Sequence, residues 1–192
     1  MPRIPELILG FLGAMRIGAV PVPVNYTLGP DVVLPFVASV APAVTVVHGK
    51  TLRQHRLDGC CQAGGTTVVV GGEMPGCVPW RLARVPAAGE PLVAAAPGDT
   101  AYLNYTTGSS GVPKGAVTTH ANIFWNTKSS AEAFGLTGDD VHLCMFASFA
   151  HPHELFARAL YLGGTVVLLE EINPKTIART IRERGVTCMM GL

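Results

Sequence analysis

Residues 105–115 hold the side chains of this sequence that are best suited to bind an anion. The segment reads Tyr-Thr-Thr-Gly-Ser-Ser-Gly-Val-Pro-Lys-Gly, so four Ser or Thr hydroxyls and one lysine lie among three glycines. Glycine lets the backbone turn tightly, and successive N–H groups in such a loop form an anion-binding concavity. Lys114 adds a mobile positive charge that suits phosphate oxygens. The segment therefore predicts a loop that binds a polyphosphate.

The residues around Lys114 differ from those of a Walker loop. A Walker loop ends in Gly-Lys followed by Ser or Thr, whereas here Pro113 precedes the lysine and Gly115 follows it. A plain Gly/Ser turn is the simplest alternative for such a segment. The run of hydroxyls, the Pro-Lys-Gly ending and the flanking elements favour the anion-binding interpretation.

The flanking residues predict the elements that must position this loop. Residues 100–105 and 116–118 have the composition of strands. Thr118 or Thr119 is placed to cap a helix over about 120–134. We therefore expect the loop to join one strand to another, with a helix only afterwards.

Residues 106–115 resemble the phosphate-loop signature of the adenylate-forming superfamily, Ser/Thr-Ser-Gly-Thr/Ser-Thr-Gly-x-Pro-Lys-Gly. That family comprises acyl- and aryl-CoA synthetases, nonribosomal peptide adenylation domains and firefly-type luciferases. Residues 11–25 are similar to its usual helix, Gly-Ala turn and Pro-rich strand. Residues 120–125 are most similar to benzoate- and hydroxybenzoate-type CoA ligases.

The resemblance implies roles for individual residues of the loop. Its hydroxyls and its ammonium group would hold the β- and γ-phosphates of ATP, with Mg²⁺ neutralising the phosphates. Lys114 is then both a catalytic and an ATP-binding residue. The other ATP-binding residues implied are Thr106, Thr107, Gly108, Ser109, Ser110 and Gly111. Gly108, Gly111 and Gly115 would permit the shape of the loop.

The resemblance also assigns residues 146–154 to the border of the acyl or aryl pocket. The family usually has Pro-x-Phe-His here, and this sequence departs from that pattern. An ungapped alignment back from residues 162–168 puts Phe149 at the position of the histidine, whereas a small gap puts His151 there. Both residues remain candidates for the substrate pocket.

The same segment allows a second interpretation as a metal site. His151, His153 and Glu154 offer imidazole nitrogens and a carboxylate. Pro152 interrupts a regular strand, however, and no fourth ligand is evident. We therefore expect no bound metal, and keep a His-x-His metal hydrolase only as a minor hypothesis.

The composition excludes some partners. The net charge of +1 argues against nucleic acid or an anionic membrane surface. Charged residues make up only 14% of the chain, whereas about 25% is ordinary. Hydrophobic residues make up 48%. We therefore expect a chain that either self-associates strongly or belongs to a larger protein.

The cysteines and the apolar run near the N-terminus indicate where in the cell the protein is expected. Five cysteines without a CxxC pair argue against a disulfide framework and fit reduced thiols in the cytoplasm. The apolar run at 7–15 is too short to span a bilayer. We therefore expect a cytoplasmic protein without a membrane span.

Helix-like and strand-like segments alternate along the chain, which indicates an α/β fold with layered sheets and helices on both faces. Strands are predicted over 19–25, 44–47, 66–70, 141–146 and 165–169, and helices over 154–162 and 174–184. Because Pro21 and Pro23 cannot donate ladder hydrogen bonds, the strand over 19–25 is expected to be short or at an edge. The resemblance implies an incomplete N-terminal domain of the adenylate-forming fold. Residues 1–140 would form the phosphate-loop subdomain and residues 141–192 the first part of the adjacent acyl-pocket subdomain, with the family's C-terminal domain absent.

The resemblance implies an AMP-forming acid–CoA ligase, which activates a small carboxylic acid with ATP and transfers the acyl group to CoA. A peptide-synthetase adenylation domain, with a carrier-protein thiol as acceptor, is an alternative. A non-catalytic interaction protein derived from such an enzyme is another, since its apolar residues would then form an association surface. The isolated 192 residues are expected to be inactive and to self-associate.

Overall fold

The computed structural model describes residues 1–62, 64–83, 93–106 and 114–191. Its helices are α1 (Pro5–Arg16), α2 (Pro30–Val40), α3 (Gly49–His55), α4 (Trp80–Ala83), α5 (His120–Ala133), α6 (Ala157–Leu162) and α7 (Pro174–Arg184). Its strands are β1 (Val44–His48), β2 (Thr66–Val70), β3 (Val78–Pro79), β4 (Thr100–Thr106), β5 (Lys114–Thr119), β6 (Val141–Cys144), β7 (Thr165–Val167) and β8 (Cys188–Met190). Short 3-10 helices cover Tyr26–Leu28, Asp58–Gln62 and Pro152–Leu155.

A parallel three-stranded sheet forms the centre of the first of two compact units. This unit comprises Met1–Pro2 and the described part of Val24–Pro91. β2 is the middle strand of the order β1-β2-β3. Apolar side chains of the strands and of the neighbouring helices pack into one core, formed by Val33, Val37, Val47, Leu52, Leu57, Cys60 and Val69. Each fully buried side chain of this kind contributes about 1.5–3 kcal/mol to stability.

The second unit contains the β4–β5 hairpin and a parallel sheet of order β7-β6-β8. It comprises Arg3–Pro23 and the described part of Leu92–Leu192. Phe11 of α1 packs edge-on against Tyr102 of β4, with ring centroids 5.4 Å apart, and lies 5.9 Å from the ring of Phe156. Because Tyr102 and Phe156 are also almost fully buried, α1 supports the strand that leads into residues 107–113.

The start of α5 follows from local hydrogen bonding. The Thr119 side chain accepts a hydrogen bond from the Asn122 N–H, and the Asn122 side chain accepts one from the Thr119 N–H. This reciprocal capping box satisfies two N–H groups at the helix end. Of the two predicted caps, Thr119 is therefore the correct one, and the helix ends at Ala133, one residue before the predicted end.

The strand predicted over residues 19–25 is wrong. The structure assigns no strand there, because Pro21 and Pro23 have no N–H to donate to a ladder. The segment still contacts β4, since the Leu103 N–H donates to the Pro21 carbonyl at 3.1 Å. Proline thus limits this segment to isolated hydrogen bonds.

The mixed α/β architecture is confirmed, and the strands at 44–47 and 66–70 lie where the sequence predicts them. Two other predicted strands are shorter in the structure, ending at Cys144 and Val167. The predicted division at residue 140 concerns the subdomains of a larger protein, and it stays a prediction. No helix within the described ranges is long and apolar enough to cross a bilayer.

Candidate functional site

The predicted phosphate loop connects the two strands of the β4–β5 hairpin. Thr106 at the end of β4 pairs with Lys114 at the start of β5, in antiparallel register. The hairpin therefore holds the two ends of the loop beside each other. Thr107, Gly108, Ser109, Ser110 and Gly111 lie outside the described residues.

Lys114 is the one described side chain of the predicted phosphate-binding set. It is exposed at the first position of β5, so its ammonium group is accessible to a ligand. The far end of the hairpin is also closed, since the His120 N–H donates to the Asp99 carbonyl at 3.1 Å and the Ala121 N–H to the Pro97 carbonyl at 2.8 Å. The strands that carry the loop are thus joined at both ends.

Gly115 lies close to an aromatic side chain of the opposite strand, and its predicted part in the shape of the loop stays a prediction. Its φ is not among the positive values of the described backbone, so it supplies no left-handed turn. It pairs across the hairpin with Tyr105, and a Cβ at position 115 would lie 3.0 Å from Cζ of that ring. The glycine therefore makes room for the aromatic ring of Tyr105 at the base of the loop.

The two pocket candidates lie in one turn after β6. Phe149 is half-buried, whereas His151 is exposed. The His151 ring packs edge-on against His153, with ring centroids 6.4 Å apart. Phe149 and His151 flank Ala150, so both belong to the same turn, and the choice between them stays a prediction.

Two side chains of β4 bind the segment that contains this turn. The Tyr102 hydroxyl lies 2.8 Å from Nδ1 of His153, and both residues are buried. Asn104 donates a hydrogen bond from Nδ2 to the carbonyl of Ala150. Alternation along a strand puts Tyr102 and Asn104 on one face of β4. The strand that leads into the phosphate loop thus forms two side-chain hydrogen bonds with the predicted pocket segment.

A buried ion pair continues this arrangement towards α6. Nη1 of Arg158 lies 2.6 Å from Oε2 of Glu154, and Nε2 of His153 lies 3.4 Å from the other carboxylate oxygen. Burial disfavours the charge on Glu154, but the contact with His153 and the charge of Arg158 outweigh it and lower the pKa of Glu154 to about 2. Arg158 also contacts the Met190 sulfur and the Glu154 carbonyl. Glu154 is therefore ionised at neutral pH.

This network includes His153 and Glu154, two residues of the His-x-His-Glu pattern. Both ring nitrogens of His153 face a partner, Tyr102 on one side and Glu154 on the other. A metal ligand needs a free imidazole nitrogen. Within the ranges that the structure describes, no three His, Cys, Asp or Glu side chains are grouped to hold a metal. The segment is organised as a hydrogen-bonded network.

The sequence reasoning missed the structural roles of Tyr102, Asn104 and Arg158. Glu154 and Arg158 are four residues apart in a predicted helix, which is the spacing of a helical ion pair. Tyr102 and Asn104 alternate in the strand before the loop, which places them on one face. Those two signals identify which side chains share a surface, but neither identifies the partner of β4.

Comparison with known proteins supports the resemblance seen in the loop. The family model described as "AMP-binding enzyme" matches residues 1–192. The chain is 28% identical over 193 residues to 4-coumarate–CoA ligase 3 of Oryza sativa subsp. japonica, covering 95% of this chain and 34% of that protein. It is 30% identical over 171 residues to 3-hydroxybenzoate–CoA/4-hydroxybenzoate–CoA ligase of Thauera aromatica, covering 85% of this chain and 32% of that protein.

Solved structures share the fold. The crystal structure of an anthranilate CoA ligase in complex with anthranoyl-AMP superposes with a TM-score of 0.87 at 21% identity, covering 98% of this chain and 38% of that one. This similarity concerns the fold alone. The chain spans about a third of the length of the curated relatives it matches.

Proposed function

Since this chain belongs to the AMP-binding enzyme family, we propose that it acts within an AMP-forming acid–CoA ligase, where residues 106–115 bind the triphosphate of ATP. The family membership expected from the loop sequence is confirmed. The observation that carries the proposal is the pairing of Thr106 with Lys114, because it brings both ends of the loop together beside the exposed lysine.

The residues present fit a polyphosphate. Lys114 supplies an exposed positive charge at the edge of the loop, and Thr106, Thr107, Ser109 and Ser110 supply hydroxyl donors by sequence. A Lys ammonium group binds phosphate oxygens as a point charge and tolerates several geometries. Mg²⁺ enters with ATP and neutralises part of the phosphate charge. Lys114 thus serves to hold the β- and γ-phosphates while the α-phosphorus reacts.

The proposed reaction has two steps. A carboxylate oxygen of the acid attacks the α-phosphorus of ATP, and the bond from that phosphorus to the oxygen bridging to the β-phosphate breaks, releasing pyrophosphate. The thiol sulfur of CoA then attacks the acyl carbon, and AMP leaves as the thioester forms and the thiol proton is released. Positioning and charge stabilisation supply most of the rate enhancement in such transfers.

The turn after β6 is the proposed border of the acid pocket. Phe149 is half-buried and His151 is exposed, so one presents an aromatic ring and the other an imidazole. The named relatives are ligases of coumarate and of hydroxybenzoates, which favours a small aryl acid as substrate and CoA as acceptor. The five free thiols fit a cytoplasmic location.

The test is the Lys114→Ala variant of the full-length protein, measured by pyrophosphate release with a panel of carboxylic acids. We expect kcat/KM for ATP to fall at least tenfold, as a hydrogen bond to a charged group is worth about 1.5–3 kcal/mol. Lys175→Ala is the matched control, because Lys175 is an exposed lysine in the first turn of α7. An unchanged kcat/KM for ATP in Lys114→Ala excludes the phosphate role.

A non-catalytic interaction protein is the second candidate. The observation that favours it is a group of exposed aromatic side chains, in which Phe124 contacts Trp125 and Tyr161 with ring centroids 5.2 and 5.9 Å apart. Large exposed apolar groups mark association surfaces. A full-length protein that self-associates but releases no pyrophosphate with any acid supports this candidate, whereas acid-dependent release supports the ligase.

A further inference from the structure

Two side chains of β4 hold the turn that carries Phe149 and His151, and they do so at different depths. Tyr102 is 1% exposed and His153 is 7% exposed, so their hydrogen bond is shielded from water. Asn104 is half-buried, and its amide binds the carbonyl of Ala150, between the two pocket candidates. Alternate residues of a strand are about 7 Å apart, so the two contacts fix both position and tilt of the turn.

The inner contact is part of a chain of polar side chains that runs from Tyr102 through His153 and Glu154 to Arg158. If the His153 proton lies on Nε2 and faces Glu154, then Nδ1 accepts a hydrogen bond from the Tyr102 hydroxyl. Glu154 is in turn fixed by Arg158, at 2.6 Å. A histidine oriented from both sides cannot rotate freely, so His153 is a rigid anchor for the end of the turn.

The same strand also leads into the loop proposed to bind ATP. Asn104 lies two residues before Thr106, which pairs with Lys114. A displacement of the turn relative to β4 is therefore a displacement relative to the triphosphate site. We propose that Tyr102 and Asn104 are positioning residues that set the place of the carboxylic acid relative to ATP.

This inference rests on the proposed function. It concerns two side chains, Tyr102 and Asn104, that take no part in the reaction and are not among the proposed phosphate-binding residues. The loss of one hydrogen bond from a positioned group weakens binding by about three- to tenfold. We expect this loss to appear in the acid site, because the turn lies at the acid border, and not in the ATP site, because the pairing of Thr106 with Lys114 is retained.

The experiment measures KM for the carboxylic acid and KM for ATP separately in the full-length protein, by ATP–pyrophosphate exchange. Tyr102→Phe removes only the hydroxyl and keeps the ring that packs on Phe11, and Asn104→Ala removes the outer contact. Each variant is expected to raise KM for the acid three- to tenfold and to change KM for ATP less than twofold. Matched controls are Tyr161→Phe and Asn126→Ala, at exposed positions.

Two kinetic results overturn the inference. One is an unchanged KM for the acid in both variants. The other is an equal rise of both KM values, since that shows a general structural role. A wild-type protein that exchanges no pyrophosphate defeats the proposed function, and hydrogen exchange then tests the contacts directly.

In that measurement, peptides over residues 146–153 are compared without substrate. We expect faster exchange in both variants than in the wild type and the controls, because the turn is released from β4. Equal exchange in all proteins contradicts the inference whether or not the protein is active.

Discussion

The Glu154→Gln variant tests the buried ion pair that anchors the segment after β6. Glutamine keeps the size of the side chain and removes its charge. Arg158 would then be left 5% exposed without the carboxylate that lies 2.6 Å away in the wild type. Breaking a buried pair by removing one partner costs about 3–5 kcal/mol, because the remaining charge is uncompensated.

The pH dependence of stability gives a second value for the contribution of the ionised Glu154 side chain. The pKa of Glu154 is lowered from 4.5 to about 2, which corresponds to about 3 kcal/mol of stability. Because the folded-state pKa lies below the unfolded value, this stability is present above pH 4.5 and is lost as the pH falls from 4.5 towards 2. Glu154→Gln should abolish this part of the pH dependence.

The assay is hydrogen exchange of peptides over residues 150–167 in the full-length protein between pH 6 and 3, corrected for intrinsic exchange rates. The wild type should lose protection below about pH 4.5, while Glu154→Gln should be less protected at pH 6 and change less with pH. The control is Glu132→Gln, since that exposed carboxylate is 3.8 Å from Lys128 in a surface pair worth about 0.3–0.5 kcal/mol. Equal pH profiles in the wild type and Glu154→Gln would refute the reasoning.

Two further predictions concern the second unit. Burial lowers the pKa of His142 from its ordinary value of 6.5, so the unfolded state takes up a proton at a higher pH than the folded state. The thermal midpoint of the wild type should therefore fall as the pH drops below 6.5. In His142→Leu this fall should be shallower, because the titrating group is absent. An unchanged slope would contradict this. Gly115→Ala places a Cβ 3.0 Å from the Tyr105 ring, so kcat/KM for ATP should fall a few-fold. Gly13→Ala should leave kcat/KM unchanged, because no described residue outside the local helix backbone comes within 4 Å of the new Cβ.

Local signals allowed much of the fold to be predicted. The strand–loop–strand arrangement around residues 106–115 followed from a run of apolar and β-branched residues on each side of a glycine-rich segment. Helix α7 covers the predicted residues 174–184: the Asn173 side chain caps its start, and Gly185, in a left-handed conformation, follows its last residue. In both cases the residues that predict the element lie within a few positions of the element itself.

Contacts between distant residues could not be predicted in this way. Tyr102 and His153 are separated by 51 residues, and Asn104 and Ala150 by 46. The sequence of β4 does not identify residues 146–154 as its partner, and the reverse is also true. From the sequence, the network around His153 was therefore recognised only as a cluster of two histidines and a glutamate. At residues 19–25 the prediction was wrong in degree: two prolines that cannot donate hydrogen bonds indicated a short or edge strand, and the structure has no strand there.

The most direct measurement of the central claim is hydrogen exchange over residues 105–116 of the full-length protein, with and without ATP and Mg²⁺. If this loop holds the triphosphate, exchange should slow when nucleotide is added, and the slowing should be smaller in Lys114→Ala. Unchanged exchange over these residues, in a protein that still forms acyl-adenylate, would contradict the assignment of the loop to ATP.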